Sequence, residues 1–126
     1  MEQRYLIDTN VIIDNFANKL TDNGKELLYS IDPIISVVTK IEILGWFNAT
    51  EQQLQPLRDF MKIVKKLPIN KAVINETIII RQQKRISLGD AIIAATALVH
   101  NLAIISRNIV DFKDIIDLQV IDPYKL

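Results

Sequence analysis

The chain has 126 residues, with 15 Lys+Arg against 15 Asp+Glu, one His and no Cys. That length is the commonest single-domain size, and 49% apolar with 24% charged residues is a globular rather than a disordered composition. Without Cys there is no disulfide, thiolate nucleophile or Cys-held zinc, and with His100 as the lone His a Ser-His-Asp triad or His-rich zinc site lacks material; a metal would be held by oxygens, as magnesium or manganese are.

The N-terminus, Met1 to Arg4, enters a strand-like run with no signal-peptide core, and no apolar run is long enough to span a bilayer. A soluble cytoplasmic protein is expected. Tyr5-Leu6-Ile7 reads as a short buried strand ending at Asp8-Thr9-Asn10, with Val11 to Phe16 helical after it. Lys25 to Ser30 reads as a second helix, and Pro33 opens a strand from Ile34 to Val38. Thr39 to Phe47 is helical. Thr50-Glu51-Gln52-Gln53 is a capping box for an amphipathic helix that is apolar at Leu54, Leu57, Met61 and Val64. Pro68-Ile69 is an extended link, and Lys71 to Lys84 returns to helix despite Ile78-Ile79-Ile80. Ser87 caps a helix from Leu88 to Val99; Leu102 to Ile105 and Leu118 to Ile121 are the remaining strands. Alternating strands and helices predict a single α/β domain over residues 1–126 with a mostly parallel sheet.

Such sheets bind ligands at the carboxyl ends of their strands, and the acids fall there. Asp8 ends the first strand, Glu42 lies in the first turn of the helix after the second strand, Asp90 in the first turn of the Ser87 helix, and Asp111 just after the strand Leu102 to Ile105. A pair of carboxylates ~4 Å apart costs on the order of 4 kcal/mol at an effective dielectric near 20. A divalent cation relieves that repulsion and serves phosphoryl chemistry. The other reading is structural. Thr39-x-x-Glu42 and Ser87-x-x-Asp90 both fit capping boxes, Asp8-Thr9-Asn10 is good N-cap chemistry, and the helix dipole favours acids in first turns.

At these residues the sequence resembles the PIN domain, in particular VapC-type toxin ribonucleases of type II toxin–antitoxin systems. The matching stretches are Leu6 to Asp14, Ser36 to Gly45, Leu88 to Ala97 and Ile105 to Phe112, in family order over nearly the whole chain. The resemblance implies a three-layer α/β/α sandwich around a four- or five-stranded, mostly parallel sheet. It also implies a magnesium-dependent endoribonuclease (manganese being the other candidate ion), with a small VapB-like antitoxin as partner and a homodimeric state. By position it makes Asp8, Glu42 and Asp90 the core catalytic and metal-holding acids. Asp111 takes the fourth place, unless Asn108, which stands where family members carry an acid, shares it. Thr9 and Ser106 match hydroxyls that orient the carboxylates or water, Ser106 standing for a more usual Thr.

Elsewhere, Gly24, Gly45 and Gly89 are the only glycines, too few for a P-loop or dinucleotide fingerprint. From Arg58 to Arg85 there are eight basic residues and two acidic ones. That stretch is either a solvated face or an RNA-backbone footprint, with Lys62, Lys65 and Lys66 the candidates. His100 reads as a residue at a helix C-terminus, Trp46-Phe47 as core or else an antitoxin or dimer contact, and Asp14 as a solvated helix residue or else a support behind the acidic site. The reaction expected is cleavage of an RNA phosphodiester, in structured RNA such as tRNA, by metal-activated water, with arrest of growth. Two alternatives stand beside it. A non-catalytic PIN-like binding module with a vestigial site would have lost one of Asp8, Glu42 or Asp90. A phospho-accepting receiver domain would need two acids after the first strand, where only Asp8 stands.

Overall fold

The computed structural model describes residues 3–126; Met1 and Glu2, at the start of the N-terminus read above, lie outside the described residues. Among the described residues five strands are threaded with helices: β1 (Tyr5–Ile7), α1 (Thr9–Phe16), α2 (Asp22–Tyr29), β2 (Ile34–Ser36), α3 (Val37–Leu44), α4 (Glu51–Ile63), β3 (Lys65–Leu67), α5 (Lys71–Gln83), α6 (Leu88–Val99), β4 (Ala103–Ile105), α7 (Ile109–Phe112) and β5 (Val120–Ile121), then a 3-10 turn, Pro123–Lys125. The strands form one parallel sheet in the order β3-β2-β1-β4-β5.

Side chains alternate across the strands and build two cores. Leu6 pairs with Ile34 and Ile104, and these three meet Val73 and Ile80 of α5, the apolar side of α6 and Phe112 of α7. Ile7, Ile35 and Ile105 point the other way, onto Val11 and Ile12 of α1, Ile43 of α3, and Leu57 and Met61 of α4. Ala91, Ala94, Ala95 and Ala97 are fully buried, and their small side chains let α6 lie close to the sheet. The three-layer α/β/α sandwich is as expected. No helix among the described residues is long and apolar enough to cross a membrane.

Three local expectations are corrected. The strand Ile34 to Val38 ends at Ser36, whose hydroxyl accepts from Val38 N at 3.1 Å and starts α3 at Val37; an N-cap outweighs the β-branched pair Val37-Val38. Thr39 is therefore inside the helix rather than its cap, and Glu42 sits in the second turn. Lys65–Leu67 is a strand, paired with Ile34–Ser36, although its Lys-Lys-Leu composition carries no apolar run. Only the neighbouring strand makes it one, and lysines suit a sheet edge. Finally, Trp46 packs on the second core while Phe47 is exposed.

The short helix α7 is fastened by Phe112, which is completely buried. Phe112→Ala should cost about 3–5 kcal/mol, measurable as a lower urea midpoint, and should loosen Asp111 with the helix that carries it.

Candidate active site

The chain leaves β1 toward β2 and β3 on one side and returns to β4 and β5 on the other, so the order reverses between β1 and β4. Ligands of open parallel sheets bind at the carboxyl ends of the strands beside such a reversal. Asp8 lies there, one residue past β1, and Ser106 one residue past β4. Asp8 is only 3% exposed and Ser106 not at all. Ser106 Oγ donates to Asp8 Oδ2 at 2.7 Å, and Thr9 N donates to Asp8 Oδ1 at 2.8 Å as α1 begins. Ser106 Oγ also accepts from Asn108 N at 2.8 Å, fixing the loop after β4.

The other acids face the same rim. Thr9 Oγ1 donates to Glu42 Oε1 at 2.7 Å and lies 3.1 Å from the buried Thr39 hydroxyl. Glu42 rests against the start of α6: a Cβ built on Gly89 would stand 3.0 Å from Glu42 Oε2. Glycine there leaves room for the carboxylate beside Asp90. Asn108 Nδ2 donates to both Asp90 Oδ2, at 3.2 Å, and Asp111 Oδ2, at 2.8 Å. A neutral amide with two N–H groups thus ties together two carboxylates that repel each other. Asp90 N is capped by Ser87 Oγ at 3.2 Å, so Asp90 sits in a capped first turn as well as in the acidic group.

Burial pushes the Asp8 carboxyl above its ordinary range, repulsion from Asp90 and Glu42 adds to this, and the bonds from Ser106 and Thr9 oppose it. Asp90 is raised too, first by burial and then by Asp111 and Glu42, against Ser87 and Asn108. Asp8 and Asp90 therefore feel the other acids across one rim, without closing up: among the described residues no three of them are drawn together into a ready metal cage. Their donor chemistry still fits a hard divalent cation, since every donor is an oxygen and two of the carboxyls are held against burial and repulsion that a cation would relieve.

Asp14 is buried rather than solvated. Arg107 Nη1 donates to Asp14 Oδ2 at 3.1 Å, the Tyr124 hydroxyl donates to the same oxygen, and the guanidinium lies over the Tyr124 ring. Burial, then the Asp14 carboxylate, push the phenol well above its usual range, so it remains a donor. This clamp joins α1, the loop between Ser106 and Asn108, and the C-terminal turn. Its members are 93 and 110 residues apart along the chain, and no local pattern announces them. Gly89, a helical glycine directly before Asp90, did carry a signal, because glycine weakens a helix unless something must approach it.

The candidate lysines are not brought to this rim. Lys62 pairs with Asp59 at 3.8 Å in the last turn of α4. Lys65 begins β3 opposite Ile34, on the edge strand two strands from β1. Lys66 Nζ donates to the carbonyls of Met61 and Val64, at 2.6 and 3.0 Å, and closes the end of α4.

The PIN-domain family model matches residues 5–117, a span that includes all four acids. The chain belongs to the PIN-domain family. Solved structures similar to this PIN domain include a chain of a toxin–antitoxin complex from Klebsiella pneumoniae, 31% identical, with 97% of this chain and 99% of that one covered and a TM-score of 0.77. A chain of FitAcB from Neisseria gonorrhoeae is 26% identical over 97% and 99% of the two chains, with a TM-score of 0.79. One of VapBC-1 from nontypeable Haemophilus influenzae is 26% identical over 95% and 98%, with a TM-score of 0.76. No curated protein sequence matches.

The raised carboxyls set a pH dependence for the metal-free PIN domain. Folded Asp8 and Asp90 hold protons more tightly than the unfolded chain, whose carboxyls titrate near 3.8. Their destabilising contribution is full at neutral pH, shrinks as pH falls through the folded values, and is gone below the unfolded one. In EDTA, Asp8→Asn should flatten this dependence. Melting curves of wild type and variant at pH 7 and pH 5 that shift in parallel would contradict it.

Proposed function

We propose that this PIN domain is the toxin of a type II toxin–antitoxin pair: a magnesium- or manganese-dependent endoribonuclease that cleaves structured RNA such as tRNA, arrests growth, and is restrained by a small VapB-like antitoxin. The observation that carries this reading is the buried Asp8 carboxylate at the reversal between β1 and β4, facing Asp90 and Glu42. Burying a carboxylate among like charges is unfavourable for folding, and the chain surrounds these acids with matched donors: Ser106 and Thr9 for Asp8, Thr9 for Glu42, Asn108 for Asp90 and Asp111. A vestigial module has no use for such an arrangement. The toxin–antitoxin complex from Klebsiella pneumoniae among its structural relatives supports an antitoxin as partner.

Asp8, Glu42, Asp90 and Asp111 are the residues that would hold the cation. When bound it supplies counter-charge to the carboxylates and to the phosphoryl oxygens. The chain's own groups do the positioning. Ser106 and Thr9 fix both oxygens of Asp8; Thr9 occupies Glu42 Oε1 and leaves Oε2 to accept a hydrogen bond from the attacking water. The water oxygen bonds to phosphorus as one of its protons passes to Glu42 Oε2, the bond from phosphorus to the leaving ribose oxygen breaks, and that oxygen takes up a proton from solvent.

Protein freed of antitoxin should cut tRNA in magnesium and not in EDTA. Asp8→Ala, Glu42→Ala and Asp90→Ala should each fall to the EDTA background, with Asp111→Ala less affected while Asn108 still braces Asp90. Expression of wild type should arrest growth and that of the Asp8 variant should not. Were Asp90 only a helix-start residue, its loss would cost about 1 kcal/mol of stability and leave cleavage intact; a fully active Asp90→Ala overturns the assignment.

Magnesium at a hundred times its dissociation constant should stabilise the fold by roughly 2.7 kcal/mol, and Asp8→Asn and Asp90→Asn should each reduce that gain. Melting temperatures indifferent to both ions, in wild type and variants alike, would count against the site.

A further inference from the structure

The basic stretch divides in the fold. Lys62, Lys65 and Lys66 stay at the β3 edge of the sheet, whereas Arg81, Lys84 and Arg85 gather where α5 turns into α6. With Ile78 and Leu88 they line a cleft of about 430 Å³. Among the described residues none of these three cations forms an ion pair, while Arg58, Lys62 and Arg107 do. Arg81 Nε donates to the Ile86 carbonyl at 3.4 Å, which holds the side chain along the turn and leaves its terminal N–H groups unused there.

The cleft touches the acidic rim through Lys84. Lys84 Nζ donates to the backbone carbonyl of Asp111, whose carboxylate is bridged through Asn108 to Asp90. Leu88, at its other side, precedes the Gly89 against which Glu42 rests. Lys84 thus ties the cleft to the rim, and the guanidinium groups of Arg81 and Arg85, free of ion pairs, line the same cleft. Guanidinium forks match phosphate oxygens.

We propose that the cleft at the α5–α6 turn seats the RNA phosphates next to the scissile bond, with Arg81 and Arg85 as the residues that hold them. This rests on the ribonuclease reading and replaces Lys62, Lys65 and Lys66 as the backbone contacts.

The test measures binding of a single-stranded oligoribonucleotide copied from a tRNA loop to the Asp8→Asn protein over a salt series, and steady-state cleavage of tRNA by otherwise wild-type protein. Arg81→Gln/Arg85→Gln should lower the slope of log affinity against log salt by about 1.4, at ~0.7 per cation on a single strand. It should raise KM several-fold with kcat little changed. Arg81→Lys/Arg85→Lys, which keeps the charge, should keep most of the slope. Both pairs are exposed, and equal melting temperatures will show that the fold is intact. If wild type cuts RNA while the Gln pair keeps its slope and KM, the cleft assignment fails and the nuclease reading stands. An equal loss for Lys62→Gln/Lys65→Gln also overturns it, as does a Gln pair that keeps its RNA slope but loses self-association, which would make the cleft a protein interface. A wild type that neither binds nor cuts RNA removes both readings.

Discussion

The hydrogen bond between Ser106 and Asp8 is the contact on which the rest of the site depends. It joins the carboxyl ends of β1 and β4, the two strands between which the chain reverses direction, and it places a carboxylate where almost no water reaches. A carboxyl in that position is unfavourable unless its oxygens are occupied. Thr9 N takes the second oxygen as the first turn of α1 begins. Cap and site are therefore one structure: the group that starts the helix also sets the direction of the acid.

The same economy recurs around the rim. Thr9 serves Asp8 with its backbone and Glu42 with its hydroxyl. Asn108 uses its backbone N–H on Ser106 and its side-chain amide on Asp90 and Asp111. An acid at position 108 would add a fifth negative group beside these two; the amide removes that repulsion and converts it into a brace. Gly89 contributes by lacking a side chain, since a Cβ there would press on Glu42. Capping and a functional role are compatible here, because helix N-termini gather at the carboxyl ends of parallel strands and favour the negative charges that such a site needs.

Farther out, charge separates by location. The formal charges cancel over the chain, yet four acids collect on one rim while three cations without ion-pair partners line a cleft at the α5–α6 turn, Lys84 reaching the Asp111 carbonyl. Arg107 is the contrast. It follows Ser106 directly, but Asp14 and Tyr124 engage it, so its charge holds the loop of the site to α1 and the C-terminal turn. Tyr124 lies beyond the residues covered by the family match, and the last residues of the chain thereby brace the loop that supports Asp8.

By itself, the sequence determined the alternation of strands and helices, the α/β class, and the placing of Asp8, Glu42, Asp90 and Asp111 after strands or near helix starts. Such signals are local, because capping hydroxyls, apolar periodicity and the residue after a strand act over a few neighbours. Tertiary structure decided what no window of residues contains. Lys65–Leu67 is a strand only because β2 offers it a partner. Val37 and Val38 turn helical because Ser36 stops the strand and caps α3. Asp14 is drawn out of solvent by Arg107 and Tyr124, some hundred residues away. Basic residues of one stretch also meet different fates, Lys66 closing the end of α4 while Arg81 and Arg85 line the cleft at the α5–α6 turn. Charge and hydrogen-bonding capacity belong to a residue, but a partner is set by distance in the folded chain, and that distance is fixed by packing rather than by position along the sequence.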